Sequence, residues 1–400
     1  MKKEYVVIGN SVAGLSAVRA IRAIDREGSI TVVSEERHLP YSRVLLTHYV
    51  AGKLRTDDLF LIQEAFYQKM RVRLLRGVRA VRVVPGERGV ELDDGRWLRY
   101  DAVLVATGAR PYFPAVFARG PEGVLGLRTL EDAVRIREAA LSGSQIAIVG
   151  GGPVGIKLAC ALQEAGLSPT LLVSSPHILS QVADQEAAAI IERHLARAGV
   201  RVRCGVNVEE LVAGRRGLQA LMLSDGSVLA CDMVVVCKGV RPQVELVAGR
   251  VRVRRGVVVD AGMRTSAPGV FAAGDVVEVR DLITGEERPS AIWPHAAAQG
   301  RVAGTNMAGG RVAFPGALQR NALEVLGLPV VAMGVTRVPA DPAWECVITR
   351  SKVAYRKLVL KRGRLVGAVL VGDVEGAGII QAAIRRGDAG WRQLVTPRAS

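Results

Sequence analysis

The chain has 400 residues, about half of them apolar, which is enough for two or three domains with full cores. Its net charge of +16, from 54 basic and 38 acidic residues, admits nucleic acid, an anionic cofactor, an acidic protein partner, or simply a basic surface. No run approaches the ~18 to 20 consecutive apolar residues of a membrane span, and scattered arginines with only six Phe make a poor base-stacking surface, so membrane and nucleic-acid roles are set aside.

The opening, MKKEYVVIGNSVAGL, puts basic residues before an apolar run. Asn10 and Ser11 break that run and Arg19 and Arg22 follow it, so no secretory signal is expected and a cytoplasmic location is. The same stretch reads as a strand at 4–8, a glycine-rich turn at 9–14, a helix to about Asp25, and a strand ITVVS that leads into Glu35. Gly9 and Gly14 occupy two positions of G-x-G-x-x-G, with Ser11 in the central place. The grammar returns at 146–166, IAIVGGGPVGIKLACALQEAG, followed by TLLVSS; here Gly150, Gly152 and Gly155 complete the loop. Residues 90–111 (VELDDGRWLRYDAVLVATGARP) are echoed by 221–242 (LMLSDGSVLACDMVVVCKGVRP), so a duplication covers about 110 residues on each side. Beyond 242, VFAA runs into Gly274-Asp275 and a helix starts near Pro294. A third region begins at about 313, with strands near 329–336, 345–350, 356–361 and 364–371 and a helix at about 376–386. The expected fold class is α/β, with two Rossmann-like dinucleotide-binding domains and a small α+β C-terminal domain.

In such a loop the first glycine permits the tight turn, the second lets a pyrophosphate approach the backbone, and the third lets helix and strand pack. Phosphate then sits on free N–H groups at the helix N-terminus. Ser11 is small and its hydroxyl can donate to phosphate, so the first loop is altered rather than broken. Glu35, 21 residues past Gly14, suits a carboxylate accepting from ribose hydroxyls; the plainer reading is a solvated charge at a strand end. The five cysteines, Cys160, Cys204, Cys231, Cys237 and Cys346, form no C-x-x-C and no zinc or iron–sulfur spacing, and none precedes residue 160.

The two loops together with ATGARP (106–111), KGVRP (238–242) and VFAAGD (270–275) resemble the two-dinucleotide-fold flavoproteins of the pyridine nucleotide–disulfide oxidoreductase family. PYSRVLL (40–46), NALEVLGLPVV (321–331) and LVGAVLVGDVEGAGIIQAAI (365–384) look closest to the branch of rubredoxin and ferredoxin reductases and the flavin portion of nitrite reductases. The resemblance implies an FAD domain at 1–112 and 241–312, an NAD(P) domain at 113–240, and a C-terminal domain at 313–400 beside the flavin. It implies FAD held by Gly9, Ser11, Ala13, Gly14, Glu35, Arg43, Val81, Ala106, Thr107, Gly108, Arg128, Gly274, Asp275 and His295. NAD(P)H would lie on Gly150, Gly152, Val154, Gly155, Val173, Ser174 and Gly239.

Three departures qualify that resemblance. Disulfide, peroxide and oxygen reductases of the family use a cysteine from the N-terminal hundred residues or a C-x-x-C, and this chain has neither. Val173, Ser174 and Ser175 stand where NADH-specific members place a carboxylate, and only His177 is near; the missing basic pair tilts the expectation to NADH. At position 157 many relatives carry Glu near the flavin, paired with a lysine that aligns with His48, whereas this chain has Lys157 and His48. Either these two act on the cofactors electrostatically, or Lys157 faces solvent and His48 caps a helix. The expected activity is electron transfer between NAD(P)H and an acidic iron–sulfur or rubredoxin-type protein through FAD, with no metal site and room for a homodimer. The alternatives are a hydrogen-peroxide-forming NADH oxidase, a redox-sensing flavoprotein, or a docking subunit of a larger complex.

Overall fold

A computed structural model describes residues 2–215 and 217–387; the end of the expected C-terminal domain, 388–400, lies outside them. The chain divides into two compact units, one from the start to Ser42 with Leu59–Arg110 and Val240–Ala317, the other of Arg43–Asp58, Pro111–Gly239 and the chain from Leu318 onward.

In the first unit the apolar run Glu4–Ile8 is the centre of a parallel sheet. Its order is Val270–Ala272, Ala102–Val105, Glu4–Ile8, Ser29–Ser34 and Val72–Arg76. Strands buried on both faces have no reason to alternate, and Val6, Val7, Val103, Leu104 and Val105 are all at or near zero exposure. The helix Val12–Ile24 lies against the helix Trp293–Met307. Their approach is set by small residues: a Cβ at Gly300 would stand 2.1 Å from the Ala13 carbonyl oxygen, and one at Gly304 2.4 Å from that of Ala17. The unit also holds a three-stranded antiparallel meander, Ala80–Val84, Gly89–Leu92 and Trp97–Arg99, and a small sheet of Val257–Val258, Val277–Arg280 and Glu287–Pro289.

The second unit repeats the plan. Its parallel sheet runs Arg201–Cys204, Thr170–Val173, Ile146–Val149, Met233–Val236 and Val124–Leu125, with the loop-bearing strand again third from the edge. The meander reappears as Val208–Gly214, Gly217–Leu223 and Val228–Ala230. The same unit holds an antiparallel sheet, Arg320–Val325, Leu328–Gly334, Arg364–Val371, Tyr355–Lys361 and Trp344–Arg350, backed by the helix Ala377–Arg386. Asp184 ties this sheet to the rest of the unit. One oxygen caps the helix Gln185–Arg197 through Ala187 N–H, while the other accepts from Tyr355 at 2.7 Å and Lys357 at 2.9 Å.

Gly304→Val, which forces a branched side chain onto the Ala17 carbonyl, should destabilise the protein by about 1–3 kcal/mol. A calorimetric melting temperature equal to the parent's would show that the two helices have room to part.

Candidate functional site: two glycine cradles

The first cradle is built from backbone. Gly9 ends the strand at φ +113, and a Cβ there would sit 2.1 Å from the Ala106 carbonyl oxygen; a Cβ at Gly14 would sit 2.0 Å from that of Gly9. Only hydrogen fits at either place. Gly9 N–H donates to Val33 O at 2.9 Å and Ala106 N–H to Ile8 O at 2.8 Å, so loop, second strand and the Ala106–Gly108 exit are locked together. Thr107 turns its hydroxyl to Gln243 O at 2.8 Å, and Gly108, at φ +72, accepts from Gln243 N–H. The Gly274–Asp275 turn joins them: Gly274 adopts φ +86, a Cβ there would be 3.3 Å from the Ala13 methyl, and its N–H donates to Gln299 Oε1 at 2.8 Å.

Ser11 is the N-cap residue of Val12–Ile24, extended at φ −116, and its side chain makes no capping bond. The hydroxyl is thus not spent on the helix. The second cradle shows why a side chain fits there at all. At the matching Gly152 a Cβ would meet no atom within 4 Å, whereas at Gly150 it would strike Cys237 O at 2.4 Å and at Gly155 Gly150 O at 1.9 Å. Glu35, one residue past its strand, is exposed; the neighbouring Glu36 is the acid engaged by the Tyr41 hydroxyl.

Two amides that the sequence did not single out flank the first cradle. Asn10 accepts from the Tyr67 hydroxyl at 2.6 Å through Oδ1, and Gln299, fully buried, accepts from Gly274 through Oε1. Their Nδ2 and Nε2 groups are buried without a partner. Buried donors of this kind are costly unless an acceptor arrives. Backbone too crowded for a Cβ, a free Ser11 hydroxyl, and two waiting amide donors fit the phosphate and polar edges of a bound dinucleotide.

The remaining expected residues divide. His295 is buried with Nδ1 2.8 Å from the Ser290 hydroxyl, within the first unit. Val81 sits on the meander and is 38% exposed. Arg43 and Arg128, expected beside FAD, both belong to the second unit, where the Arg43 guanidinium donates to the Arg128 carbonyl. In the second cradle Val154 is exposed on the first turn of Pro153–Glu164, Val173 is buried, and Gly239 takes φ +95 in open space. Ser174 accepts a hydrogen bond from Lys238.

Lys157 and His48 face one cavity, of about 140 Å³, which they line with Lys53, Cys160, Glu164 and Glu324. The Lys157 ammonium donates to the Glu324 carbonyl at 3.3 Å, and Lys53 pairs with Glu164 at 2.7 Å. His48 is inside the short helix Leu46–Val50, and desolvation, with Lys157 and Lys53 adding to it, holds its imidazole below the ordinary histidine range. Burial pushes the thiols of Cys160 and Cys204 up to about 11 and those of Cys231 and Cys237 up to about 12, so all four are protonated at neutral pH.

Comparison with known proteins agrees with this geometry. Residues 3–300 match the family model described as pyridine nucleotide-disulphide oxidoreductase, and 320–388 match the rubredoxin NAD+ reductase C-terminal domain. The chain belongs to the pyridine nucleotide-disulphide oxidoreductase family. It is an NAD(P)H-dependent flavin oxidoreductase, with FAD and NAD(P)H as its cofactors. It is 33% identical to the NADH-dependent phenylglyoxylate dehydrogenase subunit epsilon of Aromatoleum evansii over 391 residues, 96% of this chain and 92% of that one. To the ferredoxin–NAD(+) reductase component of the p-cumate 2,3-dioxygenase system of Pseudomonas putida it is 35% identical, over 68% of this chain and 67% of the relative. The NAD-dependent persulfide reductase from A. fulgidus superposes with a TM-score of 0.88 at 30% identity, covering 96% of this chain and 77% of that chain. Among the described residues no helix is long and apolar enough to cross a membrane.

Gly14→Val should abolish FAD retention, read as the loss of flavin absorbance after gel filtration. Gly152→Ser, which imitates Ser11, should leave stability within about 0.5 kcal/mol of the parent; a large loss would mean that the two loops are not equivalent. Lys157→Met removes a cation beside His48, so the His48 ring resonances should titrate at higher pH than in the parent. A titration that does not move would place Lys157 too far away to act on the imidazole.

Proposed function

We propose that this protein passes electrons between NAD(P)H and an acidic iron–sulfur or rubredoxin-type protein, by way of FAD. The observation that carries the reading is the pairing of two glycine cradles with the absence of any cysteine from the unit that holds the first. No cysteine precedes residue 160, and burial keeps four of the five protonated. Thiol relay, which disulfide and persulfide chemistry would use at the flavin, has no cysteine in the first unit to perform it, and the exposed Cys346 belongs to the second. Support also comes from the reductase-type C-terminal domain at 320–388 and from the ferredoxin–NAD(+) reductase relative.

In this reading FAD is held by residues 1–112 and 241–312, NAD(P)H by 113–240, and 313–400 forms the third domain. Gly9, Ser11 and Gly14 take the pyrophosphate, Glu35 the adenine ribose, and Asp275 the far end of the same dinucleotide. Asn10 and Gln299 give it their spare N–H groups. Bound FAD supplies the hydride-accepting and one-electron chemistry. The chain's part is to seat both dinucleotides and to present cations. A second reading is favoured by the relative that is itself named as a subunit: the chain acts as the flavin-bearing subunit of a larger redox complex.

Two measurements test the reading. Alkylation of the accessible thiols should leave NAD(P)H-dependent dye reduction intact; loss of flavin reduction in still-folded protein would restore a thiol mechanism. A basic flavoprotein steers acidic partners over a Debye length of about 8 to 10 Å. Reduction of an acidic ferredoxin should therefore slow steeply from low to high salt while reduction of a small neutral dye barely changes. Equal salt responses would remove the charge from docking.

A further inference from the structure

The register of the two cradles lets their strand ends be compared residue for residue. Gly9 N–H donates to Val33 O and Gly150 N–H to Leu172 O, so the residues two positions on, Glu35 and Ser174, are equivalent. Ala106 N–H donates to Ile8 O and Cys237 N–H to Val149 O, so Thr107 and Lys238 are equivalent as well. The first cradle thus offers a carboxylate at the strand end and a hydroxyl that is spent on the Gln243 carbonyl. The second offers a hydroxyl at the strand end and a lysine.

That lysine has a neutral hydroxyl, not a carboxylate, as its hydrogen-bond partner. A Cβ at Gly150 would lie 3.4 Å from the Lys238 backbone nitrogen, which puts the residue at the lip of the glycine loop. Its ammonium reaches across 64 residues of sequence to donate to the Ser174 hydroxyl at 2.7 Å. It is half-buried, and desolvation, with no carboxylate among the described residues to offset it, holds its pKa below the ordinary lysine value. Nearby, His177 Nδ1 is 2.8 Å from the Ile178 carbonyl. A carbonyl only accepts, so Nδ1 carries the proton and Nε2 remains for a ligand. A partly desolvated cation whose partner is a neutral hydroxyl is matched by an anion. A strand-end carboxylate at this place holds an unmodified ribose, whereas a basic side chain accommodates a 2′-phosphate.

We propose that Lys238 and Ser174 form a 2′-phosphate subsite in the second cradle, so that this chain takes NADPH in preference to NADH. The proposal rests on the reading of Gly150–Gly155 as the nicotinamide-coenzyme loop. It reverses the tilt to NADH drawn from the strand end alone, because the basic group comes from the next strand of the fold rather than from the next residues of the sequence.

Calorimetric titration of the FAD-loaded protein with NADP+, NAD+ and 2′,5′-ADP reads the subsite without turnover. NADP+ should bind about tenfold or more tightly than NAD+, and 2′,5′-ADP should compete with it. Lys238→Gln should weaken NADP+ by about tenfold and NAD+ far less, and Lys238→Arg should keep the preference. Ser174→Asp should reverse the preference. Tighter binding of NAD+ by the parent overturns the subsite, and so does an equal loss of both coenzymes in Lys238→Gln, which would put the lysine on the shared pyrophosphate. If neither coenzyme binds while FAD is retained, the reading of the second loop itself fails.

Discussion

Everything in this molecule is arranged around a backbone that passes too close to another backbone for any side chain. At Gly9 and Gly150 a carbonyl from the neighbouring strand's exit lies where a Cβ would be, and at Gly14 and Gly155 the helix lies on the loop's own carbonyl. These contacts hold the N-terminus of each following helix open over the sheet edge, where its free N–H groups face a ligand. They also hold the exits at Ala106 and Cys237 against the loop, so the residues after them, Thr107 and Lys238, are delivered to the cradle by geometry alone.

Much of this was legible in the chain. Runs such as VVI and IAIV, followed by glycines at fixed offsets, leave few alternatives to a strand–turn–helix unit. The echo of 90–111 at 221–242 carries a strand, an Asp-Gly turn, a strand and the exit in each copy, though not the first meander strands, Ala80–Val84 and Val208–Gly214. The third region read nearly as well: strands expected at 345–350, 356–361 and 364–371 occur at Trp344–Arg350, Tyr355–Lys361 and Arg364–Val371. One strand, Arg320–Val325, falls outside these expectations. Its hairpin turns on Leu326 and Gly327, with φ of +48 and +86, and leucine rarely takes a left-handed conformation, so the turn carries no ordinary signature.

The parts that stayed hidden are those made by long-range register. Nothing near Asn10 or Gln299 in sequence says that one amide oxygen will be taken by Tyr67 and the other by Gly274, leaving each nitrogen buried and unmet. Nor does TLLVSS reveal a cation, since the lysine arrives from KGVRP. The same applies to the cavity at His48. A histidine and a lysine more than a hundred positions apart become neighbours, and the imidazole then titrates lower than it would alone. Local pattern specifies elements, whereas the electrostatic identity of a site depends on which strands lie side by side.

A duplicated frame supplies its own control for separating the two kinds of residue. Gly9 and Gly150, Gly14 and Gly155, and Gly108 and Gly239 match in both copies, and the first two pairs meet the same backbone constraint, so they report on the fold. Ser11 and Gly152, Glu35 and Ser174, and Thr107 and Lys238 differ between copies whose backbones hydrogen-bond in the same way. Differences that the backbone does not require must answer to something outside it. At Gly152 that position is sterically open, at Ser174 and Lys238 the two side chains lean on each other across the mouth, and at Glu35 the acid is free to accept. All three pairs lie at the glycine loop or at the strand ends that hydrogen-bond with it. The glycines whose Cβ would strike backbone, Gly9 and Gly150 and Gly14 and Gly155, are the same in both copies.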